Sequence, residues 1–223
     1  MQTKERGILL QRPLHQQSCF TVFSSERGKI ALTILDRRYG QRLHPGSLFT
    51  FVVRTSPSRN HLATCCVDEL VPLVYHHPTD IFWFHHLLEL CSAFSPEYQP
   101  NSDVFDFLAD CITLLATHDK APDLYYLQCL CRGVLMWLLG FHPPEKLINC
   151  LLLAHGICKH RLYRVDTPPP HPLASLAGNS DTKELDVWIV DCIQSHPQAS
   201  TFKTSELLRL YHPQKSEDDH ENT

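Results

Sequence analysis

The chain has 223 residues, 43% of them hydrophobic and 20% charged, and a formal net charge of −4, the profile of a globular protein large enough to bury a core without disulfide or metal staples. No run approaches the roughly 18 consecutive apolar residues of a membrane span. Met1 to Arg12 carries charges but no apolar h-region of a secretory signal, so a cytoplasmic location with no membrane association is expected.

The net charge hides an asymmetry. Residues 1–64 hold ten Lys and Arg against three Asp and Glu, a net of +7, while the remaining 159 hold ten against twenty-one, a net of −11. A basic unit joined to an acidic one suggests a polyanion-binding head on a separate body. The ten cysteines include no C-x-x-C pair and sit mostly among leucines, where Cys acts as a small hydrophobe, so reduced, buried thiols are expected.

In chain order, the basic part reads as strands. Ile8 and Leu10 open a short one, Arg12-Pro13 makes a polar turn, and Cys19 to Phe23 forms the next. After a turn from Ser24 to Gly28, Lys29 to Leu35 places Ile30, Leu32 and Ile34 on one face, the period-2 alternation of a half-buried strand. Leu48 to Val53 aligns Phe49, Phe51 and Val53, and Leu62 to Val67 completes the set. Five strands linked by Gly, Pro and Ser turns predict a small barrel, an OB-fold first among the possibilities, over residues 1–70.

The segment from Asp36 to Gly46 reads as a loop. It places Arg37, Arg38 and Arg42 around Tyr39, with Arg54 and Arg59 bracketing the next turn and Lys4, Arg6, Arg12, Arg27 and Lys29 adding charge elsewhere. Guanidinium groups pair with phosphates and an aromatic ring offers a base a stacking surface, so nucleic acid is the expected ligand. The bland alternative is a solvated loop whose arginines serve solubility.

From Pro72 the period changes, and residues 71–223 read as an all-α domain, giving an α+β chain in two parts. Phe84, Leu88 and Cys91 mark a helix ended by Pro96. Asn101-Ser102-Asp103 caps a second with Val104, Leu108, Cys111 and Leu115 on its buried stripe. A third runs from Pro122-Asp123 through Leu127, Leu130, Cys131, Val134 and Leu138 to a stop at Gly140. Leu147, Leu151 and Ala154 mark a fourth. Residues 166–180 read as a proline-rich loop, Leu185, Trp188 and Cys192 as a further helix, Phe202 to Tyr211 as a last one, and 212–223 as a frayed tail.

Several local sequences, in this order, resemble the RecO family of bacterial recombination and repair mediators. Arg6-Gly7-Ile8-Leu9-Leu10 is similar to its opening strand, and Ser25-Glu26-Arg27-Gly28-Lys29-Ile30 to the turn between its second and third strands. Leu87-Leu88-Glu89-Leu90 resembles its first long helix, and Leu138-Leu139-Gly140-Phe141-His142-Pro143 its "L-L-G-Y-x-P" helix end. Lys203-Thr204-Ser205-Glu206-Leu207-Leu208 sits where that family has its last helix.

The resemblance implies no catalysis and no cofactor. It implies an OB-fold that binds single- and double-stranded DNA, anneals complementary strands and helps load recombinase. The implied partners are a RecR-like protein and the acidic tail of single-strand DNA-binding protein. Carried over, Arg37, Arg38 and Arg42 fall in the arginine-rich loop, and Arg27 and Lys29 in the matching turn.

Two departures stand out. Many members carry a four-cysteine zinc knuckle after the "L-L-G-Y-x-P" helix; here only Cys150, His155, Cys158 and His160 occur, without the close ligand pairs of structural zinc, and no metal is expected. Where the family often has Glu-Leu-Arg, this chain has Arg132-Gly133-Val134, leaving Arg132 as a weak candidate for receiving an acidic peptide.

Enzyme readings find little. The fifteen histidines include the pairs His76-His77 and His85-His86, which read as solvated or capping residues, and no H-E-x-x-H, Walker or G-x-S-x-G motif occurs. Cys65-Cys66 with Asp68 has no local group to activate a thiol. Two other functions share the same arginines: a scaffold binding acidic protein tails, because a carboxylate-rich peptide and a phosphate backbone look alike to a guanidinium, and an RNA-binding OB protein.

Overall fold

A computed structural model describes residues 4–12, 19–35, 37–54, 63–71, 73, 75, 78–117, 124–161 and 179–197. Five strands come first: β1 (Lys4–Gln11), β2 (Cys19–Ser24), β3 (Gly28–Ile34), β4 (Leu48–Arg54) and β5 (Ala63–Val71), with the short helix α1 (Arg37–Arg42) between β3 and β4. Helices follow: α2 (Pro78–Phe94), α3 (Ser102–Thr117), α4 (Leu124–Leu138), α5 (Glu145–Arg161) and α6 (Asn179–Gln194). The change from strand to helix falls after Val71. None of the described helices is long and apolar enough to cross a membrane.

The strands close into a barrel in the order β1-β2-β3-β5-β4, antiparallel throughout except where β3 pairs β5 in parallel. β3 keeps the predicted alternation, with Ile30, Leu32 and Ile34 pointing inward to Leu9, Phe20, Val22, Phe49 and Phe51. β1 breaks that alternation for a physical reason. Leu9 faces the barrel interior, while Ile8 and Leu10, with Phe23 of β2, pack into the core of the helices. A strand covered on both faces has no polar side to show.

α4 forms the centre of the helical part and touches α2, α3, α5 and α6. Its residues Cys129, Leu130, Cys131, Val134, Leu135 and Met136 are all buried, as a helix surrounded by others requires. Its C-terminus ends as the sequence predicts. Gly140 adopts φ 97°, its N–H donates to Trp137 O (2.9 Å), and Phe141 N–H donates to Met136 O (3.1 Å), the paired bonds of a Schellman motif. Asn101 caps α3 by accepting from Val104 N–H at 3.1 Å, and its amide donates to Leu138 O at 3.3 Å, tying the two helix ends together.

The barrel and the helices meet across a tight seam formed largely by β1, the β2–β3 turn and the end of α2. Lys29 Nζ donates to Ser92 O (2.8 Å) in the last turn of α2, where a cation also complements the helix dipole. The Arg6 guanidinium lies 5.2 Å above the Phe105 ring of α3. The backbone of Glu97 forms an isolated parallel β-bridge with that of Lys29, and Tyr98 N–H donates to Lys29 O (3.0 Å), so the α2–α3 connection runs against the barrel.

Three expectations need correction. Asp36 to Gly46 is no loop throughout: it contains α1, whose six residues are too few to display a helical period. The proline-rich loop cannot extend to 180, because α6 begins at Asn179. His86, expected to be a solvated or capping residue, is 1% exposed. It lies on the buried stripe of α2 that contains Trp83, Leu87 and Leu90. Its neighbour His85 is half-buried, edge-on to Tyr75 at 6.4 Å. The helix expected over Phe202 to Tyr211, the tail and His76-His77 lie outside the described residues.

Burial, and secondarily the Arg132 charge, lower the His86 pKa from 6.5 to about 3. A folded-state value below the unfolded one means that this contribution to stability is complete above about pH 6.5 and is lost as pH falls towards 3. We expect urea unfolding between those limits to show this loss, at most about 1.4 kcal/mol per pH unit, and His86→Leu to flatten it. An unchanged pH slope in the variant would remove His86 as the cause.

Candidate nucleic-acid interface

α1 is held on the barrel by two residues four positions apart. Leu43, just beyond its end, is fully buried among the barrel's interior side chains, and Tyr39 packs against the same cluster. The backbone beyond α1 is stitched to β1: Gly46 N–H donates to Leu9 O (2.7 Å) and Leu9 N–H to Ser47 O (3.0 Å). Arg38 and Arg42 repeat the four-residue spacing one position earlier, which rotates them by about 100° from the anchoring pair. Both are exposed on one face of α1.

A third guanidinium reaches this helix from the end of β1. Arg12 Nη2 donates to Gly40 O at 3.1 Å. Arg12 stands twenty-eight residues from Gly40, and the sequence offered only its charge. Arg12, Arg38 and Arg42 therefore gather around α1. Arg37 is its first residue and Arg54 ends β4, paired through its backbone with Thr64; the side chains of both, and all of Arg59, lie outside the described residues.

Arg27, Lys29 and Tyr39 are engaged within the protein. Arg27 Nε donates to both carboxylate oxygens of Glu5 (2.8 and 3.1 Å), and Ser24 Oγ donates to the same carboxylate at 3.0 Å. Glu5 is 3% exposed, so this pair satisfies a buried charge at the β2–β3 turn. Lys29 is committed to the α2 carbonyl. Tyr39, expected to stack on a base, instead has its ring packed against the barrel core. The reason is local: the side of α1 that carries Tyr39 and Leu43 is its only apolar one.

Arg132 is likewise internal. Its Nη2 donates to Asp186 Oδ1 of α6 (3.0 Å) and to Cys129 Sγ (3.0 Å), and its side chain is 12% exposed. It joins α4 to α6.

Among the described residues no group of three or more His, Cys, Asp or Glu could hold a metal. Cys150 Sγ donates to Leu147 O and the His155 ring lies edge-on to Trp137, while the side chains of Cys158 and His160 lie outside the described residues. Burial, with Cys66 beside it, pushes the Cys65 thiol up to about 12, which keeps it protonated and poorly nucleophilic. Comparison with known proteins adds no assignment: no protein-family model and no curated protein matches the chain.

Proposed function

We propose that this chain is a non-enzymatic, DNA-binding recombination and repair mediator of RecO type, and that its barrel is an OB-fold. The observation that carries the reading is the gathering of Arg12, Arg38 and Arg42 on and beside α1, on a barrel segment with a net charge of +7. The strand order β1-β2-β3-β5-β4, with a helix between β3 and β4, supports the OB assignment.

The mechanism is electrostatic. Guanidinium groups neutralise phosphates and release counterions, which draws two like-charged strands to one surface without reading their sequence. Most of the barrel's aromatic rings, Phe20, Phe23, Phe49 and Phe51, are buried, so phosphate contacts rather than base stacking dominate. Single and double strands are then both ligands. A RecR-like protein and the acidic tail of single-strand DNA-binding protein are the proposed partners, in the cytoplasm. The direct test is annealing of two complementary labelled oligonucleotides. The protein should accelerate it at low salt and lose the effect at high salt; an unchanged rate at all salt concentrations contradicts the mediator reading.

The packed Tyr39 ring favours one second reading. A surface offering guanidinium groups without a free aromatic suits a carboxylate-rich peptide as well as a phosphate chain. Binding of an acidic peptide, with no binding of DNA or RNA oligonucleotides, would establish that scaffold role instead.

A further inference from the structure

We propose that Leu35 is a base contact of the same barrel surface, one that an unpaired strand makes and a duplex does not. The proposal rests on the nucleic-acid reading above and adds to it a residue that charge does not reveal.

Strand alternation places the side chain. β3 turns Ile30, Leu32 and Ile34 inward, and Leu35, the next residue, faces out. Its main chain is fixed, because Leu35 N–H donates to Cys65 O at 3.1 Å. The side chain therefore projects from the sheet itself. Among the described barrel residues the exposed large hydrophobics are Leu35, at 51%, and Val71, at 41%. A single exposed leucine is ordinary on a protein surface. The setting distinguishes this one.

Two features of that setting point to a base. The sheet beside Leu35 is uncharged. Ile34 pairs with Cys65, and β5 turns Cys65 and Val67 inward, so Thr64 and Cys66 lie on the outer side with Thr33 and Leu35. Thr33, Thr64 and Cys66 are small and half-buried, and leave a smooth surface around the leucine. The second feature is charge at the edge of this surface. α1 begins two residues beyond Leu35, carries the exposed Arg42, and has Arg12 bonded to its Gly40 carbonyl. Its first turn lies within about 11 Å of Leu35 along the chain. That is the length of about three nucleotides at roughly 3.4 Å per phosphate of one strand. A strand whose phosphates lie on α1 therefore brings a base over Leu35.

Base geometry then separates the two forms of nucleic acid. An unpaired base can splay out and lay its face on an apolar side chain. In a duplex the faces are stacked on one another and only the edges reach the grooves. Phosphate contacts are common to both forms, so they supply affinity while Leu35 supplies preference. During annealing the separate strands make this contact and the paired product loses it, which favours release of the product.

Anisotropy titrations of the full chain with a labelled single strand and a labelled blunt duplex test this. Leu35→Ser should weaken binding of the single strand about fivefold, as expected when about half of a leucine side chain is no longer covered. Duplex binding and the salt slope should not change, and the retained duplex binding shows that the variant is folded. Leu35→Phe should bind the single strand at least as tightly as the wild type. Equal losses for strand and duplex, no loss for the strand, or a Phe variant as weak as the Ser variant overturns the proposal and leaves the mediator reading standing. A wild type that binds neither ligand defeats both.

Discussion

Charge reversal at Arg38 and Arg42 should weaken binding of a single-stranded oligonucleotide about a hundredfold at low salt, taking about 1.5 kcal/mol for each lost charge-assisted contact. Both side chains are exposed on one face of α1, and Tyr39 and Leu43, which hold that helix to the barrel, are untouched by the change. The double variant should therefore remain folded. Because the contacts are to phosphates, the loss should be the same for every sequence, and the slope of log K against log salt should flatten by about 1.4 for two single-strand contacts. Anisotropy titrations at several salt concentrations measure both quantities. The informative contrast is Arg27→Gln with Lys29→Met. These side chains pair with Glu5 and with the α2 carbonyl, so their loss should lower the melting temperature and leave the salt slope unchanged. The reverse pattern would move the interface from α1 to the β2–β3 turn.

Gly28→Ala should destabilise the whole protein by about 3 kcal/mol or more, combining left-handed strain with a backbone clash. Gly28 has φ 69°, and an added Cβ would lie 1.9 Å from Gln99 O and 2.4 Å from its carbonyl carbon. That obstacle is main chain in the α2–α3 connection, which is itself bonded to Lys29, so relief requires the seam between barrel and helices to open. Gly140→Ala provides the comparison. There φ is 97° but nothing lies within 4 Å of the new Cβ, so only the strain of about 1–2 kcal/mol applies. Thermal melts of both variants separate the two contributions. Equal effects would mean that the connection yields easily and that the seam is looser than its contacts imply.

Where the sequence was legible, a repeating pattern carried the information. Ile30, Leu32 and Ile34 alternate because one face of β3 meets the barrel interior, and the helix stripes repeat because their cores do. The caps at Asn101 and Gly140 were readable because backbone geometry restricts the residues there. α1 was not readable: among the described residues its apolar anchors are Tyr39 and Leu43, and Gly40 lies between them. His86 was readable and was missed, since it shares a helical face with Trp83, Leu87 and Leu90.

The candidate site was legible in charge but not in allocation. Composition placed the basic residues on the barrel, and nothing in their spacing showed that Arg27 and Lys29 are tied to Glu5 and to the α2 carbonyl. Those assignments depend on partners far away in the chain: Ser92 for Lys29, sixty-three residues on, and Gly40 for Arg12.

The most direct test of the central claim is anisotropy of the wild-type protein with a labelled single strand across a salt series. Three arginines around α1 predict binding that falls linearly in log–log form with a slope of about −2 or steeper. No binding at the lowest salt concentration, or binding insensitive to salt, would contradict a phosphate interface on this barrel.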